Sequence, residues 1–104
     1  FVGQDGNSPW PIADYLARLR AAPPAVNVLT AVGHATVRER VMGRDYTRPA
    51  RPDEVTRMEA LVDQGMREGA VALSSGLEYE VGSYAHTDEV VALARVAARH
   101  RGLY

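Results

Sequence analysis

The sequence predicts an α/β fold of about three βα units with parallel strands, a segment of a TIM-type (β/α) barrel. Three observations carry this reading. Apolar runs of strand length alternate strictly with helix-patterned stretches, in the order strand end, helix, strand, helix, strand, helix, strand start. The two complete strand runs are mostly apolar, as strands covered on both faces are. Each visible strand end, at 2–8, 32–38 and 73–79, passes into glycine and polar side chains, which is where parallel α/β folds gather their chemistry.

The elements follow in order. "FVG" at the start reads as the last residues of a strand. "SPWPIADYLARLRAAPP" reads as a helix near 10–20: Ser8 suits the cap, prolines suit the first turn, and Ile12, Leu16 and Leu19 share one face. Pro23 and Pro24 stop it. "AVNVLTAVGH", Ala25 to His34, is β-branched and of strand length. The polar stretch from Arg38 to Arg51 holds five arginines and is expected to be a long, exposed connection. A second helix opens near Pro52 and Asp53, with Val55, Met58, Leu61, Val62 and Met66 as its apolar stripe and Gly69 as its C-terminal cap.

A strand from Ala70 to Ser74 comes next, expected to run parallel to the strand near 26–32. Thr87 then suits an N-cap, Asp88 and Glu89 a first turn, and Val90, Leu93, Ala94 and Ala97 a buried stripe. Gly102 closes that helix, and "GLY" at the end resembles the start of a further strand. Both ends are therefore expected to continue. A three-stranded parallel piece leaves helix and sheet faces uncovered, and a ~250-residue barrel is the usual way to close such units. The 104 residues are read as one incomplete domain, inactive alone and prone to self-association.

Composition narrows the chemistry. With 46% hydrophobic and 24% charged residues the chain is globular in character. A net charge of -1 gives no electrostatic case for nucleic acid or an anionic membrane, and no apolar run approaches a membrane span. There is no cysteine and no lysine, so thiolate ligands, a lysine Schiff base and a carbamylated-lysine metal bridge are excluded within this stretch. A cytoplasmic location is the working expectation.

Among the strand-end residues, Asp5 reads either as an Asx-turn residue or as a carboxylate metal ligand. His34 can be a ligand, a carbonyl-polarising donor, a residue that fixes a ligand, or a loop histidine bonded to a backbone carbonyl. Arg38 can hold a substrate carboxylate or lie solvated. His86 and His100 fall beside a helix cap and at a helix end. Ser74 and Ser75 lack the Gly-x-Ser-x-Gly frame of a nucleophile elbow, which argues against a serine hydrolase. Tyr79 closes the "LSSGLEY" run, where a core strand gives way to hydroxyls, Gly76 and a phenol.

The runs "VGQDG", "YLARLRAAPPAVNVLTAVGHATVRERVMG", "MEALVDQGMREGAVALSSGLEY" and "YAHTDEVVALARVAARHRGLY" together resemble the D-aminoacylases (N-acyl-D-amino-acid deacylases) of the amidohydrolase superfamily. The resemblance implies a zinc enzyme that hydrolyses the amide of an N-acyl-D-amino acid. It implies that Asp5 stands where the family has a zinc-binding cysteine, that Tyr79 is the tyrosine reaching the substrate, and that His34 is the strand-three histidine, taken as catalytic. The family's HxH on strand one, its histidines on strands five and six and its catalytic aspartate on strand eight have no counterparts here, so most zinc ligands are expected outside this segment, in the remainder of the barrel. Two alternatives stand beside this. One is an amidohydrolase acting on cyclic amides, disfavoured because no lysine ends the strand at "LSSGLEY". The other is a non-catalytic α/β module that self-associates.

Overall fold

The computed structural model describes residues 1–104. Four helices, α1 (Ile12–Ala21), α2 (His34–Met42), α3 (Pro52–Glu68) and α4 (Thr87–Arg99), surround two strands, β1 (Ala31–Gly33) and β2 (Ala72–Ser74). The strands pair in parallel, with Ala31 opposite Ala72, Val32 opposite Leu73 and Gly33 opposite Ser74. Parallel bridges extend the ladder on both sides, from Val2 to Thr30 and from Ala72 to Leu103. Four stretches of chain thus lie side by side in sequence order, all pointing one way. The expected parallel pairing holds.

Both strands are shorter than their apolar runs suggested. Residues 25–29 carry no strand pairing, and Val26 and Leu29 are exposed. A ladder extends only as far as its neighbour supplies partners, and the N-terminal neighbour meets β1 only around Val2, whose N–H and C=O bond to Leu29 and Ala31.

One face of the sheet is sealed by helices. Val32 and Leu73 join Ile12 of α1, Met58, Val62 and Met66 of α3, and Leu93 and Val96 of α4 in a single buried cluster. Gly65 brings α3 close to β1, since a Cβ there would sit 2.5 Å from Val32 Cγ2. Of the stripes expected on α3 and α4, Met58, Val62, Met66, Val90, Leu93 and Ala97 are buried, and Val55, Leu61 and Ala94 partly so. Gly69 ends α3 in the left-handed region (φ 117°), and the N–H of Ala70 returns to the carbonyl of Gly65. Across the helix pair, His100 Nε2 lies 2.7 Å from Asp63 Oδ1, and that hydrogen bond holds the Asp63 carboxyl below its ordinary value. By alternation the opposite sheet face carries Ala31 and Ala72, flanked by the exposed side chains of Phe1 and Leu103.

Several local expectations are corrected. Ser8 does not cap α1; Pro11 stands at the cap, and the Ser8 hydroxyl accepts the N–H of Gly33 at 2.9 Å instead. Thr87 is the first helical residue of α4, with His86 in the cap position. Arg101 rather than Gly102 takes the left-handed conformation after α4, while Gly102 packs against the tip of Met66. The largest correction is α2. The first five residues of the supposed exposed connection, 38–42, belong to a helix, and Arg38 within it is fully buried. Ala35, Val37, Arg38 and Met42 make its inward stripe, so one charged residue occupies a core position. No helix is long and apolar enough to cross a membrane.

Candidate active-site mouth

Three chain segments meet at the carboxyl ends of the parallel strands, and glycine lets each approach the next. The first is the turn 3–8. Gly3, Asp5 and Gly6 all have positive φ (88°, 57° and 82°), which curls the backbone tightly and leaves the Asp5 side chain exposed. The second is the junction of β1 and α2, where a Cβ on Gly33 would overlap the carbonyl of Gly6 and where the N–H of Thr36 bonds to that same carbonyl at 3.2 Å. The third is the loop after β2. A Cβ on Gly6 would lie 2.9 Å from the nitrogen of Gly76, and a Cβ on Gly76 would overlap the carbonyl oxygen of Asp5.

Hydroxyl groups finish the join. Ser74, the last residue of β2, accepts the N–H of Gly6 at 3.2 Å and donates to the carbonyl of Gly3. The Asp5 turn is therefore held from both flanks by one side chain 68 residues distant from Gly6. Thr36 Oγ1 accepts the N–H of Ser8 at 2.9 Å. The polar end of β2 acts as a clasp between neighbouring loops. Ser75 instead reaches outward, its hydroxyl 2.7 Å from that of Tyr104.

Tyr79 lies half exposed in the loop that follows. Its ring rests against Gly76, where a Cβ would come 2.5 Å from Tyr79 Cδ2. Gly76 is packed closely, with the Asp5 carbonyl on one side and the Tyr79 ring on the other. The loop is internally braced: Tyr79 N–H bonds to Gly76 O at 3.2 Å, Ser83 N–H to Tyr79 O at 2.9 Å, and Ser83 Oγ to Glu80 O at 2.9 Å.

His34 heads α2 and is fully enclosed. Its Nε2 lies 2.7 Å from Glu89 Oε1, so its partner is a carboxylate of α4 rather than a backbone carbonyl, and its Nδ1 has no hydrogen-bond partner. Arg38, one turn further along α2, donates Nη1 to the other oxygen of Glu89. Burial alone pushes the Glu89 carboxyl up, but the hydrogen bonds from His34 and Arg38 outweigh it and leave the group below its ordinary value. Neither the carboxylate-binding nor the solvated reading of Arg38 survives, because its guanidinium is committed inside the fold. Glu89 and its link to His34 were missed at the sequence level, where it read only as a first-turn acid.

Asp5 and Tyr79 thus share one contact through Gly76, whereas the His34 side chain is enclosed and bonded to Glu89 of α4. A shallow depression of about 330 Å³ lies beside them on the open sheet face, lined by Phe1, Ala72, Leu73, Ser74, Ser75, Leu103 and Tyr104. Asp5 offers a hard, anionic and accessible oxygen, suited to a divalent cation. It is one donor: the chain brings together no group of three or more histidine, aspartate or glutamate side chains able to hold a metal ion.

Comparison with known proteins agrees with this picture over a limited span. No protein-family model matches the chain. It is 40% identical to a D-aminoacylase of Alcaligenes xylosoxydans xylosoxydans over 92 residues, 88% of this chain and 19% of the relative. It is 38% identical to an N-acyl-D-glutamate deacylase of the same organism over 93 residues, 89% of this chain and 19% of the relative. The chain therefore spans about a fifth of the length of the curated relatives it matches. Among solved structures, the N-acyl-D-glutamate deacylase of Bordetella bronchiseptica, complexed with zinc and a phosphonate mimic of the tetrahedral intermediate, superposes with a TM-score of 0.90 at 33% identity. That match covers 98% of this chain and 26% of the other. A D-aminoacylase structure described as defining a novel subset of amidohydrolases gives 0.84 at 36% identity, over 100% and 24%. The resemblance read from the sequence holds along nearly the whole chain.

Proposed function

We propose, on the premise that this chain is similar along nearly its whole length to one segment of the D-aminoacylases, that the protein containing it hydrolyses the amide bond of N-acyl-D-amino acids. The observation that carries the proposal is the junction at Gly76, where the turn bearing Asp5 and the loop bearing Tyr79 touch at the carboxyl ends of parallel strands. That is the position of active sites in parallel barrels. The 104 residues are proposed as one segment of such a barrel, its exposed apolar side chains at Phe1 and Leu103 covered by the rest of the barrel.

Asp5 is proposed to supply one carboxylate oxygen to a zinc ion whose other ligands come from outside these residues. A zinc held there would activate water and polarise the scissile carbonyl. This chain's own part is positional. Ser74 holds the Asp5 turn through Gly3 and Gly6. Tyr79 supplies a rigid, uncharged donor of one directed hydrogen bond, aimed at the substrate's carbonyl or carboxylate. His34, read from the sequence as catalytic, is proposed to act as a positioning residue, because its ring is fully enclosed and its Nε2 is bonded to Glu89 at the start of α2 beside Gly33.

The test is turnover by the full-length protein of N-acetyl-D-amino acids against their L-enantiomers, following release of the free amino acid. Hydrolysis confined to the D-series, reduced by roughly one to three decades in kcat/KM in Tyr79→Phe, is the expected result. No hydrolysis of either series would overturn the reading.

A further inference from the structure

We infer that Tyr46, pinned by Arg38, is a positioning residue that sets the orientation of the Tyr79 loop; this rests on the proposed role of Tyr79. The loop 43–51 between α2 and α3 has no regular structure, yet its backbone is fastened from inside the protein. Arg38 Nη2 donates to the carbonyl of Tyr46 at 3.1 Å and to that of Arg48. The same guanidinium is paired with Glu89. A fully buried arginine that lost these acceptors would be left with unpaired donors, so the loop is held where Arg38 puts it.

From that anchored backbone Tyr46 reaches the loop after β2 at two points. Its hydroxyl donates to Glu80 Oε1 at 2.8 Å, directly beside Tyr79 in sequence. Its ring lies against that of Tyr84, centroids 6.3 Å apart and tilted by 51°. Between these points the loop is closed on itself by the Ser83 bonds to Tyr79 and Glu80. Holding Glu80 and Tyr84 therefore holds the backbone of Tyr79, whose other neighbour is the Gly76 junction. The hydrogen bond to the Glu80 carboxylate raises the Tyr46 phenol above its ordinary value. Tyr46 makes no claim on the substrate; it fixes the direction from which Tyr79 meets it. A displacement of about 1 Å at a positioned group can cost on the order of 100-fold in rate.

The experiment uses the full-length protein with Tyr46→Phe, Tyr79→Phe and the double variant, together with Glu80→Gln. Tyr46→Phe keeps the ring against Tyr84 and removes only the hydrogen bond. It is expected to lower kcat/KM roughly 3- to 30-fold, and to speed amide hydrogen exchange across residues 76–85 without changing the melting temperature appreciably. Glu80→Gln retains an acceptor and is expected to fall between wild type and Tyr46→Phe. In the Tyr79→Phe background, adding Tyr46→Phe should cost less than about 2-fold, since the group it positions is gone. An undiminished loss in that background, or wild-type exchange and kcat/KM in Tyr46→Phe while Tyr79→Phe is impaired, would overturn the inference alone. Wild-type kcat/KM in Tyr79→Phe would overturn the role of Tyr79 and this inference with it.

Discussion

The imidazole of His34 at the head of α2 lies 2.7 Å from the carboxylate of Glu89 in the first turn of α4, and both side chains are enclosed. Glu89 also receives Arg38 Nη1, so one carboxylate joins two groups of α2 to α4. Removing it leaves a buried guanidinium without its counter-charge. Glu89→Ala in the full-length protein is expected to cost about 3–5 kcal/mol, read as a lower urea midpoint with an unchanged m-value. A loss under about 1 kcal/mol would mean that the pair is dispensable.

Glu54 gives a pH dependence of known sign. Both its oxygens accept from Arg48 at 2.8 Å, and one also accepts the N–H of Arg51 at 2.8 Å. The Arg48 bonds foremost hold its carboxyl down to about 2, against an ordinary 4.5. A folded-state value below the unfolded one stabilises the fold fully above about pH 4.5, and that contribution is lost as pH falls towards 2. Wild type should therefore lose more urea resistance than Glu54→Gln between pH 4.5 and 2. Parallel profiles for the two would refute the assignment.

The helices α3 and α4 were legible because Val55, Met58, Val62 and Met66, and Val90, Leu93 and Ala97, repeat at helical spacing. Parallel strands were legible from the alternation of elements, and with them the placing of Asp5 and Tyr79 at strand ends. Helix α2 was not. Arg38 sits in its buried stripe, and a charged residue there disguises the period; what makes it tolerable is Glu89, 51 residues away, which no local pattern reveals. Strand length was overread because apolar residues such as Val26 look like strand whether or not a neighbour exists to pair with them. Ser8 read as a cap because local rules see only local acceptors, whereas its partner is Gly33 across the sheet. Tyr46 carried no signal at all, since its partners Glu80 and Tyr84 lie in another loop.

Gly76 tests whether the junction of the loops is as tight as it looks. Its φ is negative, so alanine would not strain the backbone there, and any cost comes from the Cβ meeting the Asp5 carbonyl and the Tyr79 ring. Gly76→Ala is expected to destabilise by about 1–3 kcal/mol and to lower kcat/KM, as both flanking loops move apart. A fully stable and active Gly76→Ala would show that the two loops are independent.

Asp5 carries the final prediction, which separates its two readings. As a turn residue it contributes through its left-handed backbone (φ 57°), a conformation that Asn adopts as readily and Ala poorly. As a zinc donor it contributes through an anionic oxygen, which Asn lacks and a thiolate replaces. In the full-length protein, zinc content after dialysis should fall in Asp5→Ala and Asp5→Asn, and be retained in Asp5→Cys. Melting of the zinc-free forms should distinguish Ala from Asn, because that readout sees only the turn. If Asp5→Asn and Asp5→Ala both bind zinc as wild type does, the carboxylate is not a ligand, and Asp5 serves only to turn the chain between Gly3 and Gly6.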